Sequence, residues 1–161
     1  MRDADSSSAR NEIESEGHPL LVRPFELSDE PSVIALWERC GLTRSWNDPR
    51  KDIRRTLDVR PDLFLVGLVE GIVVASAMAG YEGHRGWINY LAVLPEYQGK
   101  GFGRVMMGEA ERRLLDLGCP KINLQVRSSN TAVIEFYRRL GYGVDDVVSM
   151  GKRLVHDEPG C

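Results

Sequence analysis

The stretch that decides the fold is Trp87–Arg104, WINYLAVLPEYQGKGFGR, where an apolar run passes through a proline into three glycines at alternate positions. The apolar run predicts a buried strand, and the residues from 101 to about 117 predict a long helix. Glycines at such a turn let backbone N–H groups approach a ligand closely, and the helix N-terminus adds the positive end of its dipole. The segment therefore predicts a strand, an anion-binding turn and a helix, with Lys100 and Arg104 placed to add charge-assisted contacts to phosphate.

Two familiar phosphate-binding loops fit this turn poorly. A Walker A loop has Ser or Thr after its Gly-Lys pair, whereas Lys100 is followed by Gly101. A dinucleotide fingerprint has the spacing G-x-G-x-x-G and an acidic residue about 20 positions later. Here the spacing is G-x-G-x-G, and the next apolar run, KINLQV (residues 121–126), carries no acid. Taken alone, the glycine-rich turn is compatible either with ligand binding or with a role in packing only.

Outside this stretch the chain alternates strand and helix patterns. The predicted strands are LLVRPF (20–25), DLFLVGLVE (62–70), IVVASAMAGY (72–81), WINYLAVL (87–94), KINLQV (121–126) and one or two strands within GVDDVVSMGKRL (143–154). The predicted helices are one capped by Ser28 and ended by Gly41, one over Pro49–Val59 capped by Asp48, one from about Gly101 to Leu117, and one from Asn130 to Leu140. The early strands should be antiparallel, and the crossover from 87–94 to 121–126 implies a parallel pair.

The order of elements predicts one mixed α/β domain. Residues 1–18 hold almost nothing that could be buried and predict a flexible N-terminal tail. The domain is expected over residues 19–155, followed by a short C-terminal tail at 156–161.

Composition excludes several classes of protein. The net charge of −3 provides no global positive field, so neither nucleic acid nor an anionic membrane is an expected partner. The three cysteines and three histidines show neither disulfide nor zinc spacing, which predicts no metal and a reducing compartment. No apolar run approaches the ~20 residues that span a bilayer, and the N-terminus is polar and acidic, so a cytoplasmic protein is expected.

Two stretches together resemble a known family. LAVLPEYQGKGFGR (91–104), with the pattern Gln98-x-x-Gly101-x-Gly103, resembles the central motif of the GNAT superfamily of N-acetyltransferases. LQVRSSNTAVIEFYRRLGY (124–142) resembles the next strand and helix of that family. The segments 36–53 and 80–86 resemble the bacterial YpeA-type group. The resemblance covers roughly residues 20–155 and implies a GNAT fold, a mixed, mostly antiparallel sheet with a central splayed parallel strand pair and flanking helices.

The resemblance implies a binding site for acetyl-CoA. In the family, the strand before the turn bulges and splays from its parallel neighbour, and its backbone binds the pantetheine arm, one N–H polarising the thioester carbonyl. The implied cofactor-binding residues are Leu91, Ala92, Val93, Gln98, Gly99, Lys100, Gly101, Phe102, Gly103, Arg104 and Asn130. From the residues alone, Asn130 is equally a plain helix N-cap. Tyr137 matches the tyrosine that protonates the departing thiolate, and a buried structural tyrosine is the alternative.

The general base is where this chain departs from the family. Two positions that carry a glutamate in some members are Trp87 and Gln125 here, and neither side chain can take a proton. Glu82 and His84, in the YEGHRG turn, are candidates, with exposed turn residues as the alternative reading. An α-amino group, with a pKa of ~7.7–8.0, would need little help from a base, whereas a lysine amine at ~10.4 would need more. Trp46 is either a wall of the acceptor pocket or a staple at a helix start.

The resulting prediction is an acyltransferase, an acetyl-CoA-dependent N-acetyltransferase acting by direct amine attack in a ternary complex. The acceptor is a small-molecule amine or a protein amino group. The alternative is a coenzyme A-binding module with little or no catalysis, because both familiar base positions are vacant. A homodimer through strand pairing of residues 147–154 is possible on this pattern.

Overall fold

The computed structural model describes residues 12–13 and 19–157, and within them six strands form one mixed sheet in sequence order. The strands are β1 (Glu12–Ile13), β2 (Leu20–Pro24), β3 (Phe64–Val69), β4 (Ile72–Tyr81), β5 (Gly86–Val93) and β6 (Ile122–Leu124). The helices of the same residues are α1 (Glu30–Arg39), α2 (Pro49–Val59), α3 (Phe102–Asp116) and α4 (Thr131–Arg139). All neighbouring strands are antiparallel except β5 and β6, which are parallel. The predicted mixed sheet with one parallel pair is confirmed.

The hairpin of β3 and β4 forms the centre of the sheet. Every residue of β3 is buried, and its connection to β4 has two successive residues with positive φ, Glu70 at 49° and Gly71 at 79°. Two such residues are characteristic of the tight turns whose twist matches that of the flanking strands. The hairpin predicted around Gly71 is therefore confirmed.

The sheet is covered on both faces. Helices α1 and α2 pack on one face, where Trp37 and Ile53 are fully buried against the alternate residues Phe64 and Val66 of β3. Helices α3 and α4 cover the other face, on which Met106 is fully buried. Since the side chains of a strand alternate between faces, the apolar residues of β3 and β4 supply both cores.

Two of the three predicted helix caps are confirmed. The Asp48 carboxylate accepts from the N–H of Arg50 at 2.9 Å, and Asn130 Oδ1 accepts from the N–H of Val133 at 3.4 Å. The Ser28 cap is wrong, because residues 27–29 form a turn of 3-10 helix and α1 begins at Glu30. The side chain that organises this turn is Asp29, whose carboxylate accepts from the backbone N–H of Glu26.

The strands predicted in residues 143–154 are also wrong. The structure has neither helix nor strand over residues 143–157, and β6 is shorter than predicted, at Ile122–Leu124. The last segment contacts the rest of the protein through side chains, as in the bond from Lys121 Nζ to Asp145 at 2.8 Å and from Arg55 to Asp157 at 2.5 Å. A strand needs a backbone ladder, and side-chain contacts do not supply one.

At the N-terminus, Glu12–Ile13 pair with Leu20–Leu21 as β1, within the stretch predicted to be a tail. The rest of that stretch, residues 1–11 and 14–18, lies outside the described residues, as do residues 158–161. The predicted tails and domain limits stay predictions. Among the helices described, none has the length and apolar character needed to cross a membrane.

Candidate active site

The parallel strand pair opens into a cleft. Strands β5 and β6 pair over three residues only, from Gly86 with Ile122 to Ile88 with Leu124. Beyond Ile88 strand β5 continues to Val93 beside β4, and no strand of the described residues pairs with its other side. The backbone of residues 89–93 therefore borders an open space between the two strands, as expected for a splayed pair.

Strand β5 bulges at the mouth of this cleft. Asn89 pairs with Met78 and Ala92 pairs with Ser76, so that two residues of β5 lie opposite one residue of β4. The two unpaired residues are Tyr90 and Leu91, and Tyr90 has a φ of 49°. A bulge of this kind releases backbone groups from the ladder and turns them elsewhere.

The glycine-rich turn after β5 presents backbone donors. Gly99 and Gly101 have φ values of 76° and 82°, a left-handed conformation that glycine adopts without a steric penalty. The first intrahelical bond of α3 is donated by Val105 to the carbonyl of Gly101. Within the described part of the chain, no protein acceptor takes the N–H groups of the six residues 99–104. Six free donors at the positive end of a helix form a site for an anion such as pyrophosphate.

The side chains of this turn divide between core and solvent. Phe102 is 2% exposed and belongs to the core, so its contribution to a ligand would be its backbone N–H. Gly103 allows close packing, since a Cβ there would lie 3.1 Å from the ring of Phe136 in α4. Lys100 Nζ lies 5.3 Å from the centre of the Tyr97 ring. Arg104 is exposed and makes no ion pair with any described residue, so it is available to a phosphate.

At the end of β5, the carbonyl of Val93 is already hydrogen-bonded by side chains of the protein. The carbonyl of Val93 accepts from Gln98 Nε2 at 2.9 Å and from the thiol of Cys40 at 3.3 Å. The side chain of Gln98 is thus turned back onto β5, with one Nε2 hydrogen engaged by the Val93 carbonyl. Burial raises the pKa of the Cys40 thiol.

Tyr137 lies on the buried face of α4. Its side chain is 9% exposed and makes edge contacts with Phe136 and Tyr142, at 5.0 and 5.7 Å between ring centres. Its hydroxyl has no hydrogen-bond partner among the described residues, and burial raises the pKa of Tyr137 to about 12. The residue also lines a cavity of about 1300 Å³ between β6, α4 and the last segment. A neutral, unpaired phenol is therefore available to donate a hydrogen bond.

No general base is found at the cleft among the four positions considered in the sequence. These are Trp87 and Gln125, where some family members carry a glutamate, and Glu82 and His84 in the turn before β5. Trp87 and Gln125 line the same cavity as Tyr137, and the amide of Gln125 donates to the hydroxyl of Ser149. The Glu82 carboxylate accepts from the N–H of Arg85 within its own turn. This turn precedes β5, about 17 Å along the strand from the bulge at ~3.3 Å per residue. The structure thus places Glu82 and His84 in an exposed turn, away from the splayed region.

Two other predicted residues lie at the edges of the site. Trp46 is 46% exposed, and its carbonyl accepts from Arg153 of the last segment. Asn130 uses Oδ1 as a helix cap, and its Nδ2 has no partner among the described residues. The cap and a ligand contact are compatible, because they use different atoms.

A polar network that local sequence patterns did not predict lies beneath the bulge and joins Trp37, Ser76, Tyr90 and Asp52. A serine inside the apolar strand IVVASAMAGY was the available signal, since a buried hydroxyl requires a partner. Of the residues that the structure describes, no three His, Cys, Asp or Glu side chains are grouped to hold a metal ion.

Comparison with known proteins yields one consistent family. Residues 26–142 match the model described as the Acetyltransferase (GNAT) family. Acetyltransferase SG1711 of Sodalis glossinidius is 51% identical over 138 residues, covering 85% of this chain and 97% of that protein. Acetyltransferase YE1169 of Yersinia enterocolitica is 47% identical over 137 residues, with the same coverage. The crystal structure of Ard1 from Thermoplasma volcanium has a similar fold, with a TM-score of 0.71, 23% identity, and coverage of 78% of this chain and 84% of that one.

Proposed function

The chain belongs to the GNAT family of acetyltransferases and depends on acetyl-CoA, and from this premise we propose that it transfers the acetyl group directly to a primary amine in a ternary complex. The family and the GNAT fold predicted from residues 91–104 and 124–142 are thereby confirmed. The YpeA-type subgroup stays a prediction.

The donor site is proposed at the cleft and the glycine-rich turn. The observation that carries this assignment is the row of six free N–H groups at residues 99–104, directly after a strand that has parted from its parallel neighbour. The pyrophosphate fits the turn, with Lys100 and Arg104 beside it. The pantetheine arm fits the edge of Leu91–Val93, where Leu91 lies in the bulge and has no pairing partner in β4. Asn130 Nδ2 adds a side-chain donor to the same ligand.

Tyr137 is proposed as the group that assists departure of the thiol. As the amine nitrogen bonds to the acetyl carbonyl carbon, the carbon–sulfur bond breaks and negative charge develops on sulfur. The phenol of Tyr137 is neutral at physiological pH, as an ordinary tyrosine already is, and burial raises its pKa further, to about 12, so it can donate its proton to that sulfur. The attacking nitrogen releases one proton to solvent, and the Tyr137 phenolate takes a proton back, so the net change is one proton moved from nitrogen to sulfur. The N–H of Leu91 stabilises the charge that develops on the carbonyl oxygen.

Direct attack is favoured over an acetylated enzyme. The described cysteines are Cys40, which contacts the end of β5, and Cys119, which is buried and whose S–H donates to the carbonyl of Lys121. Cys40 is the candidate for an acetylated thiol at the end of β5. Its S–H donates to the carbonyl of Val93, and burial raises its pKa, so the reactive thiolate is disfavoured. The amine itself is then the nucleophile that the site provides for.

The proposed acceptor is an amine that loses its proton without a strong enzymic base. Trp87 and Gln125 stand where a glutamate serves other members, and Glu82 and His84 lie away from the bulge. At pH 7.5 roughly a third of α-amino groups, with a pKa of ~7.7–8.0, are deprotonated. For lysine amines, with a pKa of ~10.4, the deprotonated fraction is about one in a thousand. This difference supports weakly basic primary amines over lysine side chains as acceptors.

The test is thiol release from acetyl-CoA in the presence of a panel of amines that spans this pKa range, with products identified by mass spectrometry. Thiol release that depends on an amine, with one acetyl group gained by that amine, is the expected result. Binding of acetyl-CoA without transfer to any amine would contradict the proposal and leave a coenzyme A-binding module. A strong preference for lysine side chains at neutral pH would refute the proposed acceptor class.

A further inference from the structure

The bulge of β5 contains a backbone conformation that requires support. Tyr90 has a φ of 49°, in the left-handed region that bulky residues rarely adopt. Such a residue persists only where its surroundings hold it, and strained residues of this kind cluster at functional sites. Tyr90 is also the residue immediately before Leu91, the second unpaired residue of the bulge, beyond the point where the pairing of β5 with β6 ends.

A buried hydroxyl holds the carbonyl of Tyr90. Ser76 in β4 is fully buried, and its Oγ donates to that carbonyl at 2.8 Å. The same Oγ accepts from the indole N–H of Trp37, also fully buried, at 2.9 Å. With one donor bond and one acceptor bond, the hydroxyl is satisfied inside an apolar layer where an unpaired hydroxyl would be costly. The relay therefore fixes one particular carbonyl rather than filling space.

The ring of Tyr90 is held by two helices. It stacks on Trp37 of α1, with ring centres 3.9 Å apart and an angle of 17° between planes. Its hydroxyl donates to Asp52 Oδ2 of α2 at 2.7 Å, and Asp52 in turn accepts from Arg55 at 2.9 Å. Burial, followed by the hydrogen bond to Asp52, raises the pKa of Tyr90, so the phenol remains a donor. Contacts from α1, α2 and β4 thus converge on a single residue.

The carbonyl of Tyr90 and the N–H of Leu91 belong to one peptide unit. The unit is planar and trans, so these two groups point in opposite directions. A bond that fixes the carbonyl of Tyr90 toward the Ser76 hydroxyl therefore also fixes the direction of the N–H of Leu91, which points away from that hydroxyl.

We propose that Ser76, Trp37 and Asp52 are positioning residues, which hold Tyr90 left-handed so that the N–H of Leu91 is aimed at the thioester carbonyl. This inference rests on the proposed function, because it assumes that the thioester lies in the cleft. Ser76 has the most direct part, since its hydroxyl holds the other end of the same peptide unit. Trp37 orients that hydroxyl, and Asp52 anchors the ring.

The test uses acetyl-CoA labelled with carbon-13 at the acetyl carbonyl, whose chemical shift moves downfield when a hydrogen bond polarises the carbonyl. It requires no knowledge of the acceptor. Bound to the unaltered protein, the label should show such a shift. Ser76→Ala should lose more than half of it while the Kd for acetyl-CoA changes by less than about threefold, because the contacts at the glycine-rich turn remain. Ser28→Ala, in the exposed turn before α1, is the matched control and should keep the full shift.

A second pair of variants tests the backbone conformation itself. Tyr90→Gly and Tyr90→Ala both remove the ring, but only glycine adopts a positive φ without strain. The glycine variant should therefore keep more of the carbonyl shift than the alanine variant. Melting temperatures measured in parallel identify any variant that fails to fold. If a Tyr90 variant fails, the comparison of Ser76→Ala with Ser28→Ala decides whether the positioning role holds, and if Ser76→Ala fails, the two Tyr90 variants decide it.

The outcomes separate this inference from the function on which it rests. If the unaltered protein fails to bind acetyl-CoA, or binds it with no carbonyl shift, the proposed donor geometry fails and the inference with it. If the unaltered protein shows the shift and Ser76→Ala shows it equally, the donor geometry stands and the positioning role of Ser76 is overturned. Equal shifts in the two Tyr90 variants would likewise remove the role of the left-handed conformation.

Discussion

Substitution of Gly101 by alanine tests the anion site at its most exposed point. Gly101 is the residue before α3, with a φ of 82°, and a Cβ added there would meet nothing within 4 Å. The cost is therefore one of backbone conformation, about 1–2 kcal/mol for an L-residue held left-handed. Because an added Cβ at Gly101 has open space around it, we expect the backbone there to relax locally in the free protein and to be restored only at the expense of ligand binding. At 1.4 kcal/mol per factor of ten, the Kd for acetyl-CoA should rise by about 5- to 30-fold.

The assay is calorimetric titration of acetyl-CoA, with thermal melting in parallel and Gly108→Ala as the control. Gly108 lies within α3, is exposed, and also has open space around an added Cβ. Alanine there should stabilise the helix by about 0.5–1 kcal/mol and leave the Kd unchanged. A Kd for Gly101→Ala within about twofold of the original value, beside normal folding, would refute the role assigned to the turn.

Three further predictions follow from contacts in and around the site. Tyr137→Phe should keep acetyl-CoA binding and lose most turnover with whichever amine the screen identifies; unchanged turnover would remove Tyr137 from the mechanism. Gly103→Ala should destabilise the protein by up to about 2 kcal/mol in chemical denaturation, because overpacking by a Cβ 3.1 Å from the ring of Phe136 exceeds the ~0.5–1 kcal/mol that alanine gains over glycine within α3. An unfolding midpoint that is unchanged or raised would show that the Phe136 ring moves aside at little cost. The pKa of Asp157 is lowered from 3.8 to about 2, chiefly by its bond to Arg55, so the stability it contributes is present above about pH 4 and lost as the pH falls toward 2. Asp157→Asn should therefore lower the melting temperature at neutral pH, and a deficit that persists undiminished at pH 2 would contradict this assignment.

Local patterns predicted the elements that build the donor site. The apolar run of residues 87–94 corresponds to β5, the glycines form the turn before α3, and Asn130 caps α4. Each of these depends on neighbours within a few positions in the chain. The parallel pairing of β5 and β6 also followed, because the handedness of a strand–helix–strand crossover leaves little choice.

Contacts between residues far apart in the sequence could not be predicted from local patterns. Asp52 and Tyr90 meet across 38 positions, and Trp37 and Ser76 across 39, so no local spacing indicates either bond. The bulge at Tyr90 depends on the register of β4 against β5, which the sequence pattern does not specify to one residue. The strands predicted in residues 143–154 failed for a related reason, since an alternating pattern forms a strand only where another backbone can pair with it.

The most direct measurement of the central claim is an acetyl-CoA titration followed by backbone amide NMR. Saturable shifts of the N–H signals of residues 99–104 and 91–93 together are expected, because these groups are proposed to supply the pyrophosphate and pantetheine contacts. The turn of residues 82–85 should remain unshifted and serves as the internal reference. Saturable binding that leaves both of the first two segments unshifted would place the coenzyme elsewhere and contradict the account.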